Sequence, residues 1–340
     1  MYWMLIHYTR INMIISKTPL RCSFFGGGTD FKEYYGNTKR GYGNVLSTAL
    51  DKYVYITVKK NFDDTIRIVH YENELAKTVD EVKHNIIREA MKLTGIESGI
   101  EIIYMADIPL SLAGVGLASS SALAVGVLNA LYAYKGIYVP AFELAKQACK
   151  IEIEILGQQI GTQDQYAVAF GGFNRYLFYG NSKVKVIPVI CKKEYLSKFQ
   201  ENLMLYYTGL TRDSGAILME QSSSIITQIP LLDDIAEMVN MAYENLVNGN
   251  TDYIGYLLDL AWENKKKLAS GITNGQIDKM YKRARLAGAY GGKILGAGGG
   301  GFLLLYVPKE YQKKVEEELK DYQKVEFSFE QQGSNIIFVD

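Results

Sequence analysis

The pattern of apolar and polar positions alternates between strand-like and helix-like segments. Residues 53–59 and 65–70 are rich in β-branched and aromatic side chains and flank a short polar stretch, which predicts a β-hairpin. Further strands are predicted over residues 100–104, 172–178, 184–189, 203–208, 301–307, 325–329 and 336–339. Helical periodicity predicts helices over residues 81–93, 119–134, 142–156, 214–226, 232–247, 253–269, 277–287 and 309–319.

The order of these elements predicts an α+β fold in two parts. Strands and helices do not alternate as regular βαβ units, which argues against a doubly wound parallel sheet. A chain of 340 residues is long enough for two domains. We expect an N-terminal domain over residues 13–195 and a C-terminal domain over residues 196–340. Residues 1–12 are expected to be an N-terminal extension, with Met13 as an alternative start.

Composition excludes several classes of protein. Lysine plus arginine and aspartate plus glutamate both number 37, so the net charge is zero and the broad basic field of a nucleic-acid binder is missing. The three cysteines are scattered, which indicates a reducing compartment without disulfides or a zinc site. No apolar run reaches the roughly 20 residues that span a membrane. We therefore expect a cytoplasmic protein with neither nucleic-acid nor membrane partners.

A glycine- and serine-rich segment leads directly into the apolar helix predicted from residue 119. Such a loop offers unpaired N–H groups and the positive end of a helix dipole, which together hold a phosphate. The alternative is that Ser119 only caps the helix, but three serines behind two glycines exceed what a cap requires. The candidate phosphate-binding residues are Gly114, Val115, Gly116, Leu117, Ala118, Ser119, Ser120 and Ser121.

Glycines also cluster between Gly296 and Gly301. This segment contains the spacing GxGxxG, but it precedes a predicted strand, whereas the dinucleotide-binding fingerprint follows one. A tight turn alone would hardly need so many glycines, so we expect the backbone to approach a ligand here. The P-loop pattern GxxxxGK[ST] occurs nowhere in the chain. Together these features predict a nucleoside-triphosphate enzyme outside the P-loop class.

Three carboxylates are candidates for chemistry. Glu152 and Glu154 lie two residues apart on a predicted helix, so at most one of them can face a given site. Asp164 lies between Gly161 and Gln165 on a predicted loop, where it is either a general base or a turn former.

In three separate segments the chain resembles a known family, the GHMP small-molecule kinases. The segment from Thr18-Pro19-Leu20-Arg21 to Gly26-Gly27-Gly28-Thr29-Asp30-Phe31 is similar to their first motif. Residues 114–122 (GVGLASSSA) resemble the second motif, and residues 293–302 (KILGAGGGGF) resemble the third. The resemblance implies an N-terminal domain like ribosomal protein S5 and a ferredoxin-like C-terminal domain. Within the family, the Gly-Gly-Gly-Thr-Asp run resembles the corresponding part of the first motif in the heptose 7-phosphate kinases.

The resemblance also implies roles for individual residues. Asp164 corresponds to the catalytic aspartate and Arg21 to the basic residue near the transferred phosphoryl group. Ser120 and Glu152 correspond to the Mg²⁺ ligands, whereas Glu154 does not match. The implied substrate-binding residues are Gly27, Gly28, Thr29, Asp30, Gly161, Arg212, Gly298 and Gly299. Arg212 is our choice for the sugar's own phosphate, with Lys39, Arg40 or Arg175 as alternatives.

The implied activity is an ATP- and Mg²⁺-dependent transfer to a small-molecule sugar phosphate. The expected reaction is phosphorylation of the anomeric 1-hydroxyl of a heptose 7-phosphate, and it would feed the synthesis of nucleotide-activated heptose for surface polysaccharide. Two alternatives stay open, which are a kinase of an unphosphorylated sugar such as galactose or fucose, and a non-catalytic sugar or nucleotide sensor on the same fold. A sensor does not require all three of the residues Asp164, Glu152 and Ser120, whereas a kinase does. All three are present in this chain.

Overall fold

The structure is a computed structural model that describes residues 11–109, 116–211 and 214–340. Its strands are β1 Met13–Phe25, β2 Tyr42–Lys60, β3 Ile66–Val69, β4 Asn73–Ala76, β5 Ile100–Ala106, β6 Phe173–Tyr179, β7 Val184–Pro188, β8 Leu203–Tyr207, β9 Gly291–Ile294, β10 Phe302–Tyr306, β11 Gln323–Val325, β12 Phe329–Glu330 and β13 Asn335–Val339. Its helices are α1 Lys32–Tyr35, α2 Asn85–Thr94, α3 Ser119–Tyr134, α4 Ala141–Cys149, α5 Gln163–Phe170, α6 Lys193–Glu201, α7 Ser214–Ser224, α8 Ile229–Val247, α9 Thr251–Lys265, α10 Gly275–Ala287 and α11 Lys309–Glu318. The expected α+β class is confirmed.

The larger sheet has nine strands and is organised around the long strand β2. The first part of β2 pairs with β6, its second part pairs with β5, and β1 runs antiparallel along almost its whole length. Strands β3 and β4 extend the sheet beyond β5, and β7 extends it beyond β6. Strand β1 carries Arg21 and leads directly into the Gly26–Asp30 turn, so this sheet positions the first motif.

The hairpin predicted from residues 53–59 and 65–70 is wrong in its pairing. Strand β3 pairs in parallel with β5, and β5 lies between β3 and β2. Alternate isoleucines are buried in both strands, Ile66 and Ile68 in β3 and Ile100 and Ile102 in β5. The apolar pattern identified both strands but could not identify their neighbours, because pairing depends on contacts distant in sequence.

The smaller sheet is antiparallel, with the order β11-β8-β10-β9, and helices α7 to α11 belong to the same half of the chain. The last two strands of the chain belong to the larger sheet, because β13 pairs with β1 and β12 pairs with β2. The division expected at residues 195 and 196 falls inside helix α6, whose Phe199 packs edge to face against Phe24 of β1. The two-domain division stays a prediction, and the strand pairing adds the chain's end to the first sheet.

Helix α3 runs through the core of the first half. Ten of its side chains, from Ser121 to Leu131, are buried, which explains why it is apolar on nearly every face. It packs against β1, β2, α2, α4 and α5. Because its first turn points toward β1, burial of this helix fixes where the second motif meets the first. None of the helices in the described part of the chain is long and apolar enough to cross a membrane.

Several predicted boundaries need correction. The helix predicted over residues 142–156 ends at Cys149 and continues as a π-helical segment, Lys150–Ile155. The strand predicted over residues 325–329 is two short strands, β11 and β12, that belong to different sheets. Periodicity could not reveal the π-helical segment, because six residues are too few to show a change of hydrophobic period.

Candidate active site

Arg21 and Asp164 form a two-pronged ion pair at the centre of the site. The Arg21 Nε donates to Asp164 Oδ1 over 2.8 Å, and its Nη2 donates to Oδ2 over 2.6 Å. The arginine side chain is 4% exposed and the aspartate side chain 25%. This geometry fixes the plane of the carboxylate while leaving one edge open to a ligand. Asp164 was expected on a loop, and the structure corrects this by placing it in the first turn of α5.

Arg21 also contacts the glycine- and serine-rich segment. Its Nη1 donates to the carbonyl of Gly116 over 2.7 Å, and its backbone N–H donates to the carbonyl of Leu117 over 3.1 Å. One side chain therefore ties the candidate catalytic aspartate to the candidate phosphate loop. Gly114 and Val115, which belong to the same predicted loop, lie outside the described residues.

Helix α3 starts without a side-chain cap. Its N-cap residue is Ala118, which has a left-handed φ of 65°, and no side chain accepts from the first turn. The interpretation of Ser119 as the cap is therefore wrong, because Ser119 is already helical. An alanine in this conformation is strained, and such strain is commonly found at ligand sites. Among the described residues, the N–H groups of the first turn are left to bind an anion.

Glu152 is buried beside the start of α3. Ser120 and Ser121 donate to its two carboxylate oxygens, the latter over 2.8 Å, and Gln165 Nε2 donates to Oε2 over 2.6 Å. Burial raises the pKa of Glu152, and these three hydrogen bonds oppose the shift. Glu154, two residues further along the π-helical segment, is exposed and lines a different cavity.

The residues around Glu152 fit a magnesium ion. Mg²⁺ prefers oxygen ligands and keeps several positions for water and phosphate. The Ser120 hydroxyl and the Glu152 carboxylate supply two oxygens, and the buried Oε1 of Gln165 has no hydrogen-bond partner among the described residues. The described ranges contain no group of three or more His, Cys, Asp or Glu side chains that could hold a metal, so the oxygen ligands near Glu152 come from one carboxylate and neutral side chains.

Asp30 lies at the other end of the site. It is 1% exposed, and its carboxylate accepts from the backbone N–H groups of Gly28 over 3.0 Å and Gln163 over 3.2 Å. Burial, with the nearby charge of Asp164 as a second cause, raises its pKa to about 6. Gly161 must lack a side chain here, because a Cβ would lie 1.9 Å from Asp30 Oδ2.

A cavity between the two sheets joins most of these residues. Its lining includes Gly27, Gly28, Asp30, Gly161 and Asp164, in addition to Arg21. The second half contributes residues of helices α7, α8 and α9, Leu268, Lys293 of β9, and Gly296 and Ala297 of the third motif. The geometry can hold a polar molecule with a hydroxyl group close to Asp164, whose partner Arg21 bonds the segment that leads into α3.

Three of the predicted substrate-binding residues do not reach this cavity. The Thr29 hydroxyl donates to the carbonyls of Gly26 and Asn44 and so shapes the turn. Gly298 packs against Ile272, and the N–H of Gly299 donates to the Ile272 carbonyl over 2.6 Å.

Of the cations proposed for the sugar's own phosphate, the three that the structure describes do not line the cavity. Arg212 lies outside the described residues. Arg40 pairs with Glu237, Arg175 bonds Asn44 and Asn240, and neither they nor Lys39 line the cavity.

Sequence reasoning missed two lysines that line the cavity, Lys265 and Lys293. Lys293 had a usable signal, since lysine is rarely found inside an apolar strand. Lys265 had none, because it begins the run Lys265-Lys266-Lys267 at a helix end and resembles an ordinary solvated terminus.

Two parts of the chain match the two domains of one protein family. Residues 77–172 match the GHMP kinases N terminal domain, and residues 242–325 match the GHMP kinases C terminal domain. The chain is 30% identical over 336 residues to the D-glycero-alpha-D-manno-heptose 7-phosphate kinase of Campylobacter jejuni, which covers 94% of this chain and 97% of the relative. It is 24% identical to the galactokinase of Pyrococcus furiosus over 90% of this chain and 92% of that protein.

A solved structure shares the fold along nearly the whole chain. It is described as a D-glycero-D-manno-heptose 1-phosphate kinase from Bacteroides thetaiotaomicron, with a TM-score of 0.79 and 25% identity over 96% of this chain and 99% of that one. The first and third motifs line the cavity, and Arg21 joins the second motif to them through the Gly116 carbonyl. The family matches, the relative and this fold agree with that arrangement. The chain therefore belongs to the GHMP kinase family and is a phosphotransferase that acts on a hydroxyl group.

Proposed function

We propose that this protein is an ATP- and Mg²⁺-dependent sugar kinase whose acceptor is the anomeric 1-hydroxyl of D-glycero-D-manno-heptose 7-phosphate. Its products would be the 1,7-bisphosphate and ADP, and the reaction would supply nucleotide-activated heptose for surface polysaccharide. The observation that carries the proposal is the Arg21–Asp164 pair, which lines one cavity and is joined to the segment before α3 through the Gly116 carbonyl, in a chain 30% identical to a heptose 7-phosphate kinase.

The chain's own residues can account for phosphoryl transfer. Phosphoryl transfer depends mainly on positioning and on stabilising charge, with little covalent participation by the protein. Asp164 would accept a hydrogen bond from the acceptor hydroxyl and orient it, because Arg21 holds its carboxylate in one plane. Arg21 and the backbone N–H groups at the start of α3 would stabilise negative charge on the transferred group. Asp30 would accept from a second sugar hydroxyl.

Ser120 and Glu152 are the residues that would hold Mg²⁺, with Gln165 positioning the Glu152 carboxylate. When bound, the ion supplies positive charge that neutralises the ATP phosphates. Glu152 is buried and accepts hydrogen bonds from two residues of α3, the helix that would bind those phosphates, and this contact supports the assignment.

The alternatives differ in what they require of the site. A sensor without catalytic activity would not need the Arg21–Asp164 pair beside an uncapped helix start and a buried Glu152, and this arrangement supports the enzyme. A kinase of an unphosphorylated sugar fits the same geometry, because Asp164 and Asp30 contact only hydroxyl groups in either case. The two heptose kinases differ in name by the position of the phosphate already present, so the acceptor has to be tested.

The test is an ADP-release assay with purified protein, ATP and Mg²⁺ across a panel of acceptors. The panel contains heptose 7-phosphate, heptose 1-phosphate, unphosphorylated heptose, galactose and fucose. We expect the highest kcat/KM for heptose 7-phosphate and its loss in Asp164→Asn. A higher kcat/KM for galactose, fucose or heptose 1-phosphate would replace the proposed acceptor, and ADP release unaffected by Asp164→Asn would contradict the catalytic assignment.

A further inference from the structure

A buried glutamine in the acceptor cavity has no role in the mechanism above. Gln221 lies in α7, in the second half of the chain, and is only 5% exposed. It lines the same cavity as Arg21, Asp30 and Asp164. None of the three sequence motifs contains it. A polar side chain buried at the wall of a ligand cavity needs a physical explanation.

The side-chain amide of Gln221 has no hydrogen-bond partner in the part of the chain that the structure describes. Ser224 Oγ donates over 3.0 Å to the backbone carbonyl of Gln221 and not to its side chain. A second glutamine of the cavity wall, Gln163, is bonded, since its Oε1 accepts from the Ser23 hydroxyl over 2.7 Å. Burying an amide without a hydrogen bond costs free energy, and a ligand that bonds the Gln221 amide would recover it.

Apolar packing of helix α7 holds Gln221 against the cavity. Leu218 and Gln221 are three residues apart, so they share one face of the helix, and both line the cavity. Met219, on another face, is 62% exposed. Ile217 and Ile225 are buried and anchor the helix. The position of the amide is therefore fixed by the packing of α7 and not by hydrogen bonds of its own.

The amide lies directly against the first motif. A Cβ added to Gly28 would lie 2.6 Å from Gln221 Nε2, and Gly28 has a φ of 96°, which favours glycine. The backbone N–H of Gly28 donates to Asp30 Oδ1 over 3.0 Å. Gly28 is thus in contact with Gln221 of one half and Asp30 of the other. A ligand group beside Gly28 can reach both side chains.

The two side chains differ in their hydrogen-bonding capacity. An ionised carboxylate such as that of Asp30 only accepts, whereas the Gln221 amide has two N–H donors and one carbonyl acceptor. A hydroxyl group both donates and accepts, so a hydroxyl that donates to Asp30 can accept from Gln221. A phosphate group at this place would be repelled by the Asp30 carboxylate. The chemistry therefore favours a hydroxyl-bearing carbon of the ligand.

We propose that Gln221 is a specificity-determining residue that binds a hydroxyl group of the acceptor beside Asp30. This assignment rests on the proposed function, which takes the acceptor to be a sugar. It makes α7 part of acceptor recognition and leaves ATP binding to the start of α3. Gln221 should therefore affect kcat/KM for the acceptor without changing the KM for ATP.

The experiment compares Gln221→Met with the matched control Gln228→Met. Gln228 belongs to the same half, has a buried amide oxygen without a partner among the described residues, and does not line the cavity. At saturating ATP, kcat/KM is measured for heptose 7-phosphate and for analogues that each lack one hydroxyl group. The same series is measured for galactose and its monodeoxy analogues.

The wild type should discriminate by about 10- to 100-fold against the analogue that leaves the buried amide unpaired. Gln221→Met should discriminate against that analogue by less than about threefold, because no amide is then left without a partner. Its melting temperature and its KM for ATP should match the wild type, since the amide makes no hydrogen bond within the described protein. Gln228→Met should keep the wild-type discrimination.

Unchanged discrimination against every analogue in Gln221→Met, or an equal loss for all acceptors together with a lower melting temperature, overturns the proposal. If the wild type phosphorylates galactose and not heptose 7-phosphate, the proposed acceptor fails, and the galactose series still decides the role of Gln221. If neither sugar is phosphorylated, both proposals fail. If Gln221→Met does not fold, Gln221→Asn decides, because its amide is one methylene shorter and should lose the same discrimination.

Discussion

At the scale of single residues, Arg21 joins the candidate catalytic aspartate to the candidate phosphate loop through hydrogen bonds. Its three side-chain nitrogens bond both oxygens of Asp164 and the carbonyl of Gly116, and its backbone N–H bonds Leu117. A lysine could not reproduce this fork, because its ammonium is a point charge without a planar array of donors. Arg21 thus sets the distance between Asp164, which we propose orients the acceptor, and the loop that we propose binds phosphate.

Glu152 and Glu154 provide a matched pair for testing the metal assignment. Glu152→Gln should weaken Mn²⁺ binding in the presence of ATP by about 10- to 100-fold and remove most of kcat, because a ligand charge beside Ser120 is lost. Glu154→Gln should stay near the wild type, since Glu154 is exposed on the other side of the π-helical segment. Titration followed by electron paramagnetic resonance and kcat at saturating ATP measure the two effects. Equal losses in both variants would contradict the assignment.

Asp30 predicts how acceptor binding depends on pH. Its pKa is raised to about 6, chiefly by burial, so the carboxylate gains a proton as the pH falls through that value. The protonated group accepts hydrogen bonds less well, and kcat/KM for the acceptor should fall about tenfold per pH unit below pH 6 at saturating ATP. In Asp30→Asn, the plateau of kcat/KM above pH 6 should be lower, and the fall of kcat/KM below pH 6 should be absent. An acid limb that persists unchanged in the variant would assign it to another group.

At the scale of elements, the start of α3 depends on a contact between two loops. Gly116 has a φ of 91°, and a Cβ there would lie 2.3 Å from the carbonyl oxygen of Leu295. Gly116→Val should therefore displace the phosphate loop and raise the KM for ATP about tenfold or more, since backbone strain of about 1–3 kcal/mol has effects of that size. Initial-rate measurements at varied ATP concentration test this.

Gly136 provides the control for that substitution. It also has a positive φ, 73°, but nothing lies within 4 Å of an added Cβ. Gly136→Ala should cost some stability through backbone strain and leave the KM for ATP unchanged. If Gly116→Val keeps a native circular dichroism spectrum and an unchanged KM for ATP, the segment is only a turn.

Local sequence features predicted the elements unevenly. Helix α3 was predicted with its observed limits because a long apolar run follows a serine cluster and ends before Gly136. Strand β1 was not predicted, although it carries the first motif, because residues 13–25 mix charged, polar and apolar side chains without clean alternation. Its buried polar residues Ser16 and Thr18 are satisfied by partners more than 100 positions away, which no local window can detect.

At the scale of the whole molecule, the end of the chain supports its beginning. Strand β13 pairs with β1 over Ile14 to Lys17, and Thr18 bonds Ser334 over 2.7 Å. Deleting residues 335–340 should therefore lower the melting temperature by more than about 4 °C. Differential scanning calorimetry measures this shift. An unchanged melting temperature would show that β13 contributes nothing to the sheet.

Sequence motifs named residues that lie together, but they could not show where distant segments meet. Motif order and spacing singled out Arg21, Asp164, Glu152 and Ser120, which the structure joins as the pairs Arg21–Asp164 and Ser120–Glu152, and their roles stay predictions. The cavity's position between the sheets, the packing of Gly298 on Ile272, and the inward ammonium of Lys265 depend on how the two halves pack. That packing is encoded in surfaces far apart in sequence, so spacing alone could not reveal it.

The most direct test of the account is the position of the phosphate in the product. The purified protein is incubated with ATP, Mg²⁺ and D-glycero-D-manno-heptose 7-phosphate, and the product is examined by ³¹P nuclear magnetic resonance. We predict one ADP for each sugar consumed and a second phosphorus signal coupled to the anomeric proton, with neither formed by Asp164→Asn. A new phosphate at any carbon other than C1, or no transfer to the heptose while another sugar is phosphorylated, would contradict the proposed reaction.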